Sequence, residues 1–185
     1  MSTGCLIFIM GRQRAGKDTA ADYLVNYYGF TKVPLAKPVY EIACRLFAMV
    51  GKERGLLIDI GTKMREIDID VFPKAVWREA VGCSQGAERI LTLPPGTRIV
   101  VPDTRFPNEW EFFKQRGAWG IRVMASQKTR ASRPGYDAEF ESDPTETSLE
   151  DAPADAVITN EGTYGAFYDA LDCFLTQKVG LKREG

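Results

Sequence analysis

No histidine occurs among the 185 residues of this chain. That removes the commonest general base and the commonest metal ligand, so any chemistry must run on carboxylates, lysine, arginine and backbone amides. Cysteine is scarce: Cys5, Cys44, Cys83 and Cys173 are widely spaced, with no CxxC pair. This spacing argues against a zinc site or a disulfide framework, and three of the four sit among apolar neighbours, so reduced and mostly buried thiols are expected. Long hydrophobic runs are also missing. The longest near the start, Cys5 to Met10, is far below the roughly 20 residues that cross a bilayer, and no basic stretch precedes it as in a signal peptide. No membrane association is expected, and the expected location is the cytoplasm. Nor is there an excess of charge: the formal net charge is -1, which gives no global electrostatic case for nucleic acid or an anionic surface as partner. Any polyanion must be met locally.

What is present is ordinary for a globular chain, with 44% hydrophobic and 26% charged residues. The length suits one compact domain. Cys5 to Met10 reads as a central parallel strand, being short, continuously apolar and closed by a glycine. Lys17 to Tyr28 shows helical spacing, with Gly29 as its stop. Further helical patterns run from Pro38 to Val50, Leu56 to Ile67 and Phe72 to Val81. Thr97 to Val101 and Ala118 to Met124 are strand candidates on either side of a helix from Phe106 to Gly117, and Ala156 to Thr159 and Thr163 to Lys178 close the chain as strand and helix. Alternating strands and helices predict an α/β fold: a central parallel sheet with helices on both faces, binding ligands at the carboxyl ends of its strands.

Between 126 and 155 no regular element is predicted. Residues 112 to 136 hold six basic residues and no acid, whereas 137 to 155 hold eight acids and no base. A stretch of this kind, rich in Ser, Thr, Pro and Gly, predicts a long mobile loop.

The chemistry concentrates in Gly11-Arg12-Gln13-Arg14-Ala15-Gly16-Lys17-Asp18-Thr19. Gly11 and Gly16-Lys17 have P-loop spacing between a strand and a helix, so backbone N–H groups, the Lys17 ammonium and the helix dipole converge on phosphate. The position after the lysine usually carries a hydroxyl that ligates Mg²⁺; here it is Asp18. Two readings of Asp18 stand: it holds the metal through water, or it favours the helix N-terminus on its own. Thr19 is a candidate for an inner phosphate.

Four segments, GRQRAGKDTAADYL, GTKMREIDIDVF, VVPDTRFPNEWEFFKQRGAWGIRV and DPTETSLEDAPADAVITNEGT, occur in that order and span nearly the whole chain. Together they resemble the phage-type deoxynucleoside monophosphate kinases, a branch of the P-loop nucleoside monophosphate kinases. The resemblance implies a P-loop NTPase fold and transfer of the ATP γ-phosphoryl group to a deoxynucleoside monophosphate, with Mg²⁺. It implies a core of residues 1–36, 95–125 and 154–185, a helical monophosphate-binding insert at about 37–90 and a mobile lid at about 126–146. Gly11 to Thr19 would bind ATP; Lys37, Thr62, Arg65 and Glu66 would line the monophosphate pocket. Asp103 and Arg105 would stand between donor and acceptor, supported by Phe106 and Asn108, and Arg130 and Arg133 would act from the lid. Relatives often carry a histidine in the block written here Asp143-Pro144-Thr145-Glu146. If the chain is phage-encoded, the cytoplasm is the host's, and a homodimer is left open.

The physical reading of the residues runs alongside. Phosphoryl transfer needs both phosphates held in line and their charge neutralised, which a histidine-free chain can do. Arg105, just past a strand end, is suited to grip phosphate bidentately; the alternative is a structural pair with Glu109 or Asp103. Arg130 and Arg133 could close over ATP or form a solvated basic loop. The acidic run is expected to pair with them and hold the lid open until phosphates compete. Trp77, Trp110 and Trp119 are expected to pack rather than stack on a base. Other small-molecule P-loop kinases, acting on phosphomevalonate or dephospho-coenzyme A, and a non-catalytic ATP-binding regulatory module are the competing functions.

Overall fold

The computed structural model describes residues 4–82 and 86–183. In chain order the elements are β1 (Cys5–Met10), α1 (Lys17–Tyr28), β2 (Thr31–Lys32), α2 (Lys37–Phe47), α3 (Arg54–Ile67) and α4 (Val71–Val81), then β3 (Arg98–Val101), α5 (Pro107–Lys114), β4 (Trp119–Met124), α6 (Gln127–Ala131), α7 (Pro144–Thr147), β5 (Ala156–Thr159) and α8 (Tyr164–Phe174). The sheet has the order β2-β3-β1-β4-β5, and each neighbouring pair is parallel.

β1 is buried along its whole length, as a continuously apolar central strand should be. Its side chains alternate between two cores, because successive residues of a strand point to opposite faces. Leu6, Phe8 and Met10 join Val39, Ile60, Trp77 and Phe113 from α2 to α5; Cys5, Ile7 and Ile9 join Leu24 of α1 and Phe167 and Leu171 of α8. Helices therefore cover both faces. The Pro102 to Phe106 turn and the glycine loop emerge side by side, because β3 and β1 are parallel neighbours.

Several expectations need correction. Residues 126–155 are not an irregular loop: α6, a 3₁₀ turn at Ala138–Phe140 and α7 lie within them. Each begins at a side-chain cap, with Ser126, Asp137 and Asp143 accepting from the N–H groups of Thr129, Glu139 and Thr145. Such caps compensate for short length and weak apolar patterning. β2 was not expected, since two residues carry no periodicity. α2 stops at Phe47 rather than Val50, where Ala48 turns left-handed at φ 52° and bonds back to the Ala43 carbonyl. α8 ends at Phe174, followed by a π-helical turn at Leu175–Val179. Of the cysteines, Cys5 is buried, but Cys44 and Cys173 are exposed, since both fall on the outer faces of their helices; Cys83 lies outside the described residues. Trp77 packs in the core, its indole N–H donating to the carbonyls of Ala87 and Ile90 at 3.2 and 2.8 Å. No helix among the described residues is long and apolar enough to cross a membrane.

Candidate active site

Gly11 and Gly16 stand at φ 139° and 111°. A Cβ on Gly11 would meet the Val123 carbonyl oxygen at 2.2 Å, and one on Gly16 would meet the Asn160 amide at 2.2 Å, so both the backbone conformation and the space require glycine. Arg14 adds a third positive φ, at 58°. Left-handed residues at this spacing turn backbone N–H groups toward a common centre. Lys17 folds over the loop, its ammonium donating to the carbonyls of Gly11 at 2.6 Å and Arg12 at 2.9 Å. Burial, reinforced by the Arg105 charge, pushes its pKa down to about 8. Asp18 makes no cap hydrogen bond; its exposed carboxylate pairs with Lys32 at 2.8 Å.

Residues 126–160 press onto this loop. Arg133 donates to the carbonyls of Arg14 at 2.5 Å, Ala15 at 3.0 Å and Asn160 at 2.8 Å. Arg12 is held between Glu141 at 2.8 Å and Glu150 at 2.5 Å. Arg130, only 3% exposed, grips Glu141 with both Nη groups and donates through Nε to Ala125 O at 3.1 Å. That bond holds the Glu141 carboxyl down to about 2. Arg130 thus faces a carboxylate rather than the centre of the loop. The acids do pair with the arginines, but they draw the 126–146 segment down onto the P-loop, where the sequence had suggested an open lid.

Glu146 is the innermost of these acids, with a side chain 2% exposed. Its Oε2 accepts from the Gln13 backbone N–H at 2.5 Å and its Oε1 from Arg105 Nη1 at 2.8 Å. The Arg105 guanidinium therefore pairs with Glu146, while Glu109 takes only the Arg105 backbone N–H. A cavity of about 160 Å³ lies here, bounded by Gly11, Arg12, Thr104, Arg105, Arg122 and Glu146.

A second cavity, of about 280 Å³, opens beneath α3 and shares Arg105 and Thr145 with the first. It is close to the lower end of the range for small-ligand sites. Arg65 runs between the rings of Phe72 and Phe106, its guanidinium carbon 4.8 and 4.6 Å from their centroids. Its Nη2 lies 3.8 Å from Glu109, and its buried Nε has no partner among the described residues. Glu109 in turn accepts from the N–H groups of Arg105 at 2.8 Å and Phe106 at 3.1 Å, while burial pushes its pKa up to about 7. Asp103 lines the same cavity, its two oxygens engaged by the N–H groups of Leu35 and Ala36 at 2.8 and 2.9 Å. Arg54 forms the far wall, lying 3.3 Å from the Phe140 ring centroid and 3.5 Å from Asp137.

The structure thus brings Thr62, Arg65, Asp103, Arg105 and Phe106 to one cavity and leaves three expected residues outside it. Glu66 pairs with Lys63, one helical turn from the wall, and Lys37 pairs with Glu79 at 2.9 Å. Asn108 bonds Ile69 O and Asp70, latching α5 to the start of α4. Sequence reasoning missed Arg54, Phe140 and Glu146 as site residues, and it named Glu141 and Glu109 only as pairing partners of the arginines. Among the missed residues, Glu146 alone carried a signal, through its block beside Asp143.

The glycine loop thus faces a second, arginine-walled cavity across Arg105. Residues 5–71 match the deoxynucleotide monophosphate kinase family model. The resemblance read in the sequence is upheld. A protein of Acanthamoeba polyphaga mimivirus, provisionally named a deoxynucleotide monophosphate kinase, is 24% identical over 90% of this chain and 93% of its own. Among solved structures, shikimate kinase from Acinetobacter baumannii superposes with a TM-score of 0.52 at 17% identity, covering 97% of this chain and 95% of its own. A Thermus thermophilus protein reaches 0.57 at 17% identity, covering 96% and 99%. These structures carry the fold, that of the P-loop kinases; the family match supports a phosphotransferase resembling the deoxynucleotide monophosphate kinases.

Proposed function

We propose that the chain transfers the γ-phosphoryl group of ATP to the phosphate of a deoxynucleoside monophosphate, yielding the diphosphate and ADP. The supporting observation is that Arg105 lines both cavities at once, so one guanidinium borders the glycine loop and the acceptor cavity. Bound ATP supplies the phosphoryl group, and Mg²⁺ neutralises part of its charge. The loop fits that ligand: the geometry at Gly11, Arg14 and Gly16 is that of an anion nest, and the Lys17 ammonium, held over its own carbonyls, can turn to phosphate oxygens. Asp18, exposed at the start of α1, would be the residue to hold Mg²⁺, through water.

In the acceptor cavity, Arg65 and Arg105 grip the monophosphate, while Phe72, Phe106 and Phe140 give the nucleoside its apolar walls. Arg133 contributes from the lid at the donor side. A panel of ribo- and deoxynucleoside monophosphates with ATP and Mg²⁺ in an ADP-release assay tests this. Stimulation by one or more deoxynucleoside monophosphates is expected; stimulation by none of them would refute the reading.

A further inference from the structure

The glycine loop is built to hold an anion, and one anion of this chain already reaches it. Glu146, carried on α7, accepts from the Gln13 amide at 2.5 Å and from Arg105 at 2.8 Å. A carboxylate held by one loop N–H and a guanidinium makes the charge-assisted hydrogen bonds that a phosphate oxygen would make. Its neighbours behave alike: Glu141 and Glu150 engage Arg12, and Glu141 also engages Arg130. Three cations near the loop and one loop amide are thus satisfied by carboxylates of one segment.

We propose that Glu146 is a built-in phosphate mimic, an autoinhibitory contact that polyphosphate must displace to occupy the loop, with release of α7 as the consequence. The inference rests on the P-loop kinase reading but not on the identity of the acceptor. Two anions cannot share the Gln13 amide, so a phosphate oxygen and Oε2 exclude one another. Because Oε1 holds Arg105, whatever anion takes Arg105 from the acceptor side weakens the same contact, and the two sites become positively coupled through one side chain. The short length of α7, four residues outside the sheet, lets this element release without disturbing the strands.

The test uses inorganic tripolyphosphate, which carries neither base nor sugar, so failure of the acceptor panel leaves it intact. Glu146→Gln keeps the shape and removes the charge; calorimetry should show tripolyphosphate binding tightened roughly tenfold over the natural chain, the scale of one lost charge-assisted competitor. Amide hydrogen exchange on the natural chain should show residues 145–147 exchanging faster when tripolyphosphate is added. A lid that simply closes over phosphate would give the opposite sign. Unchanged or weaker binding by folded Glu146→Gln overturns the proposal. If that variant fails to fold, exchange in the natural chain decides alone, and slowed or unchanged exchange at 145–147 overturns it.

Discussion

At the scale of single residues, burial sets the charge of two groups at the candidate site, Lys17 and Glu109. Lys17 is protonated below a pKa of about 8, and only the ammonium form neutralises phosphate. In the free protein kcat/KM for ATP should therefore fall as pH rises through about 8, and Lys17→Arg should flatten that limb. Lys17→Ala should lower kcat by roughly 100-fold or more, the scale for removing one positioned donor to developing charge, with the circular dichroism spectrum retained. Glu109 works in the other direction. Its folded pKa of about 7 lies above the ordinary 4.5, so between those values the folded chain binds a proton that the unfolded chain has lost. Stability from this group is complete below about 4.5 and declines as pH rises toward 7. Denaturant midpoints of Glu109→Gln should accordingly vary less between pH 5 and 8 than those of the natural chain.

Among elements, the decisive contact joins α3 to the 126–146 segment. The Arg54 guanidinium carbon lies over Phe140, 3.3 Å from the ring centroid, and Asp137 adds an ion pair at 3.5 Å. A cation–π contact of this kind contributes on the order of 1 kcal/mol. Phe140→Leu should raise KM for the acceptor severalfold while leaving KM for ATP within about twofold, because the ring borders the acceptor cavity and not the glycine loop. Steady-state kinetics varying each substrate in turn checks the split. The helices themselves were legible from their periodicity: α3 and α4 fall within two residues of their expected bounds. The short α6 and α7 were not, since they are stabilised by Ser126, Asp137 and Asp143 caps rather than by an apolar face.

Across the whole molecule, the acidic run is a clamp rather than a spacer. Glu141 is held to about 2 by Arg130, below the ordinary 4.5, so its contribution to stability is present above about 4.5 and lost as pH falls toward 2. Thermal midpoints should drop between pH 5 and 3, and Glu141→Gln should drop less over the same interval. The sequence by itself determined the strand-loop-helix start, the parallel α/β architecture and the glycine-loop conformation from Gly11 to Lys17, because these are local: an apolar run, two glycines and a lysine at fixed spacing specify a backbone conformation with no distant partner. It also marked Arg65, Asp103 and Arg105. Only the tertiary structure decided what those side chains face. Arg105 meets Glu146 across 41 residues and Arg12 meets Glu150 across 138, and no periodicity records such pairings. Glu66, Lys37 and Asn108 fell outside the cavity for the same reason: helix phase and local ion pairs set their direction, and these depend on how the helices pack.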